Sequence, residues 1–228
     1  NSDSDILMQT IENLVDLHHN HWNGIWCLIL FDRIEAGCVK DIDLVVGNPP
    51  WVKWSNLPRP YAEFIKPICD RMDIFSEDVW VGGIQSDIST VVTYHALERF
   101  VKRGGSLAFL ITGTVLKNES SQGFRRWKLR TTGQDEPVSV ETVEDYAAIR
   151  PFDGVANWPT LLLIRRNGKP TSYPVKYRRF SPSKAEEPLH LSSFEDLLAM
   201  PVPGTAAGPW LVGTNQEMQV WPSLFNAA

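Results

Sequence analysis

Asp43-Leu44-Val45-Val46-Gly47-Asn48-Pro49-Pro50-Trp51 is the stretch of sequence from which the fold can be predicted. Its apolar run Leu44–Val46 is typical of a short strand in a parallel sheet that is covered on both faces. Pro49 and Pro50 end that strand, because neither residue has an amide N–H to donate to a sheet ladder. Asn48 is therefore expected at the carboxyl end of a strand, where α/β folds place their ligands.

The chain around this motif has an ordinary globular composition. Of its 228 residues, 43% are hydrophobic and 21% are charged, which is enough for one large core or a core with a small second module. No apolar stretch reaches membrane-spanning length. The chain begins with Asn1 and not with Met, so we expect it to be part of a longer protein. Cys27, Cys38 and Cys69 form neither a disulfide framework nor a zinc pattern, which favours the reducing cytoplasm.

The charges are segregated along the chain. The formal net charge is −5, but 15 of the 22 Lys and Arg residues lie in the segments 99–130 and 165–184, where Glu119 is the one acid. A surface that faces phosphate groups would require such a distribution. Two solvated faces of helices or strands would explain it equally well.

The pattern downstream of the motif predicts an α/β fold. A helix over 88–102, capped by Ser86 or Asp87, is followed by a turn at Gly104-Gly105 and a strand over 106–112. A strand, a crossover helix and a new strand in this order predict parallel pairing. The other predicted elements are helices over 5–17, 25–34, 61–69 and 120–130 and strands over 138–146, 160–166 and 173–180.

The pattern weakens after Asn167-Gly168. From Ala185 onward the chain holds five acids and no Lys or Arg, and it is interrupted by several prolines. We expect this tail to be the start of another module or a wrapping arm outside the sheet.

Residues Asn48 to Trp51 have the chemistry needed to methylate an amino group. The lone pair of the adenine N6 amine is delocalised into the ring, so a catalyst has to accept hydrogen bonds from both N–H groups. The side-chain oxygen of Asn48 would accept one and the Pro49 carbonyl the other, on a turn that the prolines make rigid. Trp51 would stack on a base extruded from the duplex. Alternatively, Asn-Pro-Pro only ends the strand and begins a loop, without a catalytic role.

Residues 43–51 resemble the catalytic motif of the N6-adenine DNA methyltransferases, in the branch found in single-chain restriction–modification and phage-defence enzymes. The similarity covers residues 40–168. It continues in order through Asp87-Ile88-Ser89, the strand 107–111, the segment 124–129, Pro151-Phe152 and the strand 160–166. It implies a partial Rossmann-like methyltransferase sheet, parallel with an antiparallel late strand and with helices on both faces, in residues 1–168. Residues 169–228 would start a target-recognition or wrapping region.

The resemblance implies methyl transfer from S-adenosylmethionine to adenine N6 in double-stranded DNA that carries a flipped adenine. By position, the catalytic residues are Asn48, Pro49, Pro50 and Trp51, the substrate-binding residues are Trp51, Phe152, Arg125 and Arg126, and the cofactor-binding residues are Asn48 and Asp87. Asp87 would serve equally as a helix cap, and Phe152 as a core residue. Trp158 competes with Phe152 for the stacking role.

One departure from the family concerns the cofactor. Residues 1–40 contain Gly24 and Gly37 but no glycine-rich turn after a strand, so the main binding loop for S-adenosylmethionine is absent from this chain. We expect the remainder of the parent chain to supply it, and this chain alone to be inactive. His18, His19 and His21 lack nearby Cys or acids at ligand spacing, so no metal is expected.

Two further functions remain open from the sequence. Methyltransferases that act on a protein glutamine side chain or on RNA use a similar Asn-Pro-Pro-Tyr element. A non-catalytic DNA-binding domain that kept the motif as a relic is the other alternative.

Overall fold

The computed structural model describes residues 2–20, 25–75, 86–131, 133–149, 152, 158–181, 193–205 and 207–225. The chain divides into two compact units, residues 1–39 and residues 40–228. All predicted site residues belong to the second unit. Among the described helices, none is both long and apolar enough to cross a membrane.

The first unit consists of two helices, α1 (Ser2–His19) and α2 (Ile25–Cys38), both of which are predicted from the sequence. The sequence suggests that α2 is the more buried helix, but Phe31 and Ile34 expose 64% and 67% of their surface. His21 lies outside the described residues. Within those described, no group of three or more His, Cys, Asp or Glu residues is arranged to hold a metal.

The second unit begins with the motif strand. β1 (Ile42–Gly47) pairs in parallel with β2 (Val101–Thr112). Between these strands the chain forms α3 (Arg59–Arg71) and α4 (Ile88–Arg99), and α4 packs against β2. The predicted order of strand, crossover helix and parallel strand is therefore confirmed.

Gly104 and Gly105 lie inside β2 and do not form the turn that ends the preceding helix, which corrects the prediction. α4 already ends at Arg99, and the register between β1 and β2 shifts at the glycines as in a β-bulge. Gly104 has a φ of +84°, which favours glycine. A Cβ atom on Gly105 would lie 2.9 Å from the Asp43 carbonyl oxygen. The glycine pair thus allows β2 to approach β1 closely.

The chain over 120–130 differs from the predicted helix. It contains short 3-10 turns at Glu119–Ser121 and Phe124–Arg126. Gly123, between the turns, packs so closely that a Cβ atom there would lie 2.2 Å from the Ile74 carbonyl oxygen. The apolar spacing that predicts a helix comes instead from side chains of a folded loop, of which Phe124 and Trp127 are buried and pack against each other.

The remaining strands form one large sheet and one hairpin. They are β3 (Lys128–Thr131), β4 (Gln134–Pro137), β5 (Ser139–Asp145), β6 (Pro159–Arg165), β7 (Val175–Phe180), β8 (Phe194–Pro201) and β9 (Trp210–Gly213), followed by α5 (Asn215–Phe225). β3 and β4 pair with each other, and the large sheet has the order β1-β2-β6-β5-β7-β8-β9. β6 runs antiparallel to β2. The predicted α/β fold class, with its antiparallel late strand, is confirmed.

Part of the tail from Ala185 onward belongs to this same sheet, which corrects the prediction that this tail lies outside it. β7 pairs in parallel with β5, and β8 and β9 add antiparallel strands. Leu197 and Ala199 of β8 are buried, and the rings of Trp127 and Trp210 pack with 5.7 Å between centroids. The tail joins the sheet because its apolar strand residues bury against the core despite its acidic surface. Its role in target recognition stays a prediction.

β1 lies at one end of the large sheet. Leu44 exposes 53% of its surface and Val46 68%. The prediction that this strand is covered on both faces is therefore wrong for the described part of the chain. An exposed apolar edge strand is a surface on which a further strand can pair.

Candidate active site

The motif residues leave the sheet at the carboxyl end of β1. Asn48 is exposed, whereas Pro49 behind it is buried. The two prolines fix φ at successive positions, so the Asn48 side chain and the Pro49 carbonyl are presented by a rigid turn. The side-chain amide of Asn48 is thus open to a ligand at the edge of the sheet.

The Trp51 ring is anchored to the neighbouring strand. Its indole Nε1 donates a hydrogen bond to the Leu110 carbonyl oxygen of β2 at 3.0 Å, and the residue is half-buried. A buried indole N–H usually finds such a partner, which leaves the ring faces for packing. The aromatic end of the motif is therefore held in place by tertiary structure and not by the prolines alone.

Phe152 lies against Trp51. The centroids of the two rings are 5.6 Å apart and the ring planes meet at 74°, an edge-to-face contact that aromatic pairs favour. Phe152 still exposes 36% of its surface. Two residues that are distant in the sequence, and that the resemblance assigns to the same substrate, are therefore brought together at the site. Their role in binding a base stays a proposal.

Trp158, the competing aromatic residue, is held differently. Its indole Nε1 donates to the Asp145 carboxylate, and its carbonyl oxygen accepts from the Gly113 amide at 2.7 Å. The Lys117 ammonium lies 4.3 Å from the ring centroid, within the range of a cation–π interaction. These contacts tie Trp158 to the chain beyond the end of β2, whereas the ring that contacts Trp51 is that of Phe152.

Asp87 caps helix α4, as expected. Its side chain accepts from the Ser89 amide at 2.8 Å, and burial raises the pKa of its carboxyl, although that hydrogen bond opposes the shift. The segment after Trp51 runs back along the start of this helix, because the Ile88 amide donates to the Val52 carbonyl oxygen at 2.9 Å. The structure therefore places Asp87 beside the chain that leaves the motif. Its contact with a cofactor stays a proposal.

Arg125 is not available to DNA in this structure. It exposes 1% of its surface, and its guanidinium donates to the main-chain carbonyl oxygens of Val115, Asn118, Ala207 and Gly208 at 2.6 to 3.0 Å. Burial lowers its pKa to about 10. Arg125 thus joins the loop after β2 to the segment before β9, and its predicted DNA contact is corrected to a structural role.

Arg126 contacts the Asp73 carboxylate and exposes a fifth of its side chain.

Most of the described basic residues in the segments 99–130 and 165–184 likewise have a carboxylate partner. In the described part of the two basic segments, carboxylate partners lie within 4.0 Å of Lys102, Arg103, Arg126, Lys128, Arg130, Arg165, Arg166, Arg178 and Arg179. Acids from outside the two basic segments therefore neutralise much of the predicted basic surface. Lys184 lies outside the described residues.

Asp145 is a buried acid that no sequence motif singled out. Asp145 lies at the carboxyl end of β5, and 3% of its surface is exposed. In the sequence, Asp145 is an acid at the end of a predicted strand, but such acids are common at turns and do not by themselves indicate a site. Its importance becomes visible only when Trp158 and Tyr177 converge on it.

No protein-family model and no curated protein sequence matches the chain. Solved structures show partial similarity. A nuclease-deletion mutant of the type ISP restriction–modification enzyme LlaGI, in complex with a DNA substrate mimic, matches 73% of this chain with 15% identity and a TM-score of 0.48. The ATP-dependent type ISP restriction–modification enzyme LlaBIII, bound to DNA, matches 75% with 12% identity and a TM-score of 0.45.

The M protein of the type I restriction enzyme EcoKI is similar over 83% of this chain, with 12% identity and a TM-score of 0.42. The chain spans 15% of the LlaGI chain, 12% of the LlaBIII chain and 43% of the EcoKI M protein.

Proposed function

We propose that this chain is the base-holding part of a DNA methyltransferase that methylates adenine N6 in a restriction–modification or phage-defence enzyme. The observation that carries the proposal is the exposed Asn48 at the carboxyl end of β1, beside a Trp51 ring that is bonded to Leu110 and in contact with Phe152. A hydrogen-bonding amide next to an anchored aromatic pair suits an extruded base that carries an exocyclic amine.

The residues of the turn would act on the amine in two ways. The Asn48 side-chain oxygen and the Pro49 carbonyl would each accept one N–H of the adenine N6 group, which raises electron density on the nitrogen as it attacks. Trp51 would stack on the base, with Phe152 as the adjoining wall. The nitrogen that gains the methyl group releases one proton to solvent. Because the acceptors are fixed before the base arrives, little reorganisation accompanies the reaction.

S-adenosylmethionine, when bound, would supply the electrophilic methyl group. The described residues provide only part of a site for it. Asp87, the residue assigned to it by position, already uses one carboxylate oxygen to cap α4. The rest of the donor site would come from the remainder of the parent chain.

The exposed edge of β1 supports that arrangement. Leu44 and Val46 present apolar side chains directly before Asn48, on a strand at the end of the sheet order. Burying such side chains is favourable, and a strand paired here would extend the sheet beside the motif. A donor-binding segment in this position would lie next to the amine acceptors.

The test is to map modified bases in genomic DNA from cells that express the full-length protein. Wild type is expected to yield N6-methyladenine at a defined sequence, and Asn48→Ala to abolish it while DNA binding remains. Asn56→Ala is the matched control, because Asn56 is also exposed but lies outside the motif. Methylation that survives Asn48→Ala would refute the catalytic assignment.

A second experiment, on purified protein, separates DNA methylation from the two alternatives, a different methylated substrate and a non-catalytic domain. Purified full-length protein is offered duplex DNA, RNA and protein substrates together with radiolabelled S-adenosylmethionine. Label in protein or RNA alone would point to a different amino-group substrate. DNA binding without label in any substrate would indicate a non-catalytic domain that kept the motif.

A further inference from the structure

A single buried carboxylate lies at the end of β5, immediately before the segment of chain that carries Phe152. Asp145 accepts a hydrogen bond from the Tyr177 hydroxyl of β7 at 2.7 Å through its Oδ2 atom. The Arg179 Nε lies 3.8 Å from the same oxygen. Strand β7 therefore holds this side of the carboxylate in place.

The other oxygen of Asp145 receives both ends of the segment 147–158. The Ala147 amide N–H, at the start of the segment, donates to Oδ1 at 2.9 Å. The Trp158 indole Nε1, at its end, donates to the same atom. Phe152 lies between these two anchored residues in the chain and contacts Trp51 at the motif.

The far end of the segment is also fixed to Gly113, the residue that follows β2. The Gly113 amide donates to the Trp158 carbonyl oxygen at 2.7 Å, and a Cβ atom on Gly113 would lie 2.8 Å from the Trp158 ring. Only glycine leaves room for the ring at this position. Trp158 is therefore held between the end of β2 and Asp145.

We propose that Asp145 is a positioning residue that sets Phe152 against Trp51 by joining both ends of the segment 147–158. This inference rests on the proposed function. A buried carboxylate requires hydrogen bonds, because burying its oxygens without partners is costly. Fixing a residue on each side of Phe152 in the chain lowers the conformational entropy available to Phe152, so that its ring is preorganised before a base arrives.

The test uses the full-length protein and a duplex containing its recognised site. Asp145→Asn keeps the shape of the side chain but replaces one of its two oxygens by an N–H₂ group, so that the side chain can accept hydrogen bonds either from Tyr177 or from Ala147 and Trp158, but not from both sides. We expect it to lower kcat for methylation by between about tenfold and a hundredfold, as a misplaced contact does, with a smaller change in KM. The fluorescence of 2-aminopurine at the target adenine should fall in parallel, because less of the base is held outside the duplex.

Two further variants distinguish positioning from general stability. If Asp145 acts through Phe152, the double variant Asp145→Asn/Phe152→Leu should lose no more activity than Phe152→Leu alone. Glu141→Gln is the matched control on the same strand, because its half-exposed carboxylate pairs with Arg165 at 3.4 Å and touches neither end of the segment. Additive losses in the double variant, or an unchanged kcat in Asp145→Asn, would overturn the proposal.

A final measurement is independent of methylation. Hydrogen–deuterium exchange of peptides covering 147–158 should rise in Asp145→Asn and remain at the wild-type level in Glu141→Gln. Unchanged exchange would overturn the proposal that Asp145 fixes both ends of this segment, even if the enzyme is active. If exchange is faster in Asp145→Asn but the wild-type protein methylates no DNA, the role of Asp145 in fixing the segment is supported and the proposed function is rejected.

Discussion

The Phe152 ring meets the Trp51 ring edge-on, with 5.6 Å between the centroids, at the carboxyl edge of the sheet. Trp51 is itself fixed by its hydrogen bond to Leu110, so Phe152 packs on a ring whose position is already determined. The contact unites the Asn-Pro-Pro-Trp turn with a residue from the distant half of the chain. The Trp51 and Phe152 rings together form an aromatic surface next to the turn that carries Asn48.

Substitutions at Trp51 should separate its two contributions. Trp51→Phe keeps an aromatic face but loses the hydrogen bond to Leu110, and Trp51→Ala loses both. Because stacking of a base on an aromatic side chain contributes about 1–3 kcal/mol, Trp51→Ala should lower kcat/KM by about 5- to 150-fold, and Trp51→Phe by less. The measurement is methylation kinetics of the full-length protein. Equal losses in the two variants would contradict a stacking role.

Arg125 should control stability and not DNA affinity. Arg125→Met leaves several buried carbonyl oxygens without a charged donor, so the free energy of unfolding should fall by at least about 3 kcal/mol in chemical denaturation. Arg130→Met is the control, because its guanidinium is half-exposed and pairs with Asp135 at 3.6 Å. Such surface pairs contribute about 1 kcal/mol or less. Unchanged stability of Arg125→Met, with weaker DNA binding, would restore the DNA contact predicted from the sequence.

Asp87 gives a prediction for pH dependence. Burial raises its pKa in the folded state, so folding favours the protonated form. The stability that this group contributes is therefore present below its ordinary pKa of 3.8 and is lost as the pH rises through the folded value. Asp87→Asn should be at least as stable as wild type at pH 7, since the amide still caps the helix without a buried charge.

Asp87→Ala, in contrast, should lose about 1 kcal/mol of stability, because the cap on α4 is removed. Thermal unfolding at pH 4 and pH 7 compares the three proteins. A stable Asp87→Asn variant that no longer methylates would support a role at the cofactor. Full activity of that variant would reject it.

The edge of β1 should be essential in the full-length protein. Val46→Glu places a charge on the exposed apolar surface that we assign to the donor-binding segment, so binding of S-adenosylmethionine and methylation should both be lost. Phe64→Glu is the matched control, since Phe64 exposes 74% of its surface on α3. Calorimetric titration of the cofactor measures the effect. Wild-type cofactor affinity in Val46→Glu would show that nothing packs on this edge.

The sequence was most informative where the signal is local. The strand before Asn48, the cap at Asp87 and the helix that follows all depend on residues close together in the chain, and the structure confirms each of these elements. The helix predicted over 120–130 failed for the opposite reason. Gly123 is packed against the Ile74 carbonyl, and this contact with a remote segment outweighs local helical periodicity.

The distribution of surface charge also depends on contacts between distant segments. Lys and Arg cluster in the sequence, but their acidic partners come from outside those clusters, as when Arg178 pairs with Asp196 of β8 at 3.2 Å. Attraction between charges depends on distance in space and not on separation along the chain. A segment that is basic in sequence can therefore be nearly neutral on the surface.

Asn48, its two prolines and Trp51 form a rigid turn at the end of an apolar strand, and the sequence by itself determines this because covalent geometry and missing amide protons act locally. Only the tertiary structure decided that Phe152, rather than Trp158, faces Trp51 and that Arg125 is buried. It also decided that the acidic tail continues the sheet and that Asp145 joins the two ends of one segment. These outcomes depend on strand register and packing between distant residues, which single residue types do not encode.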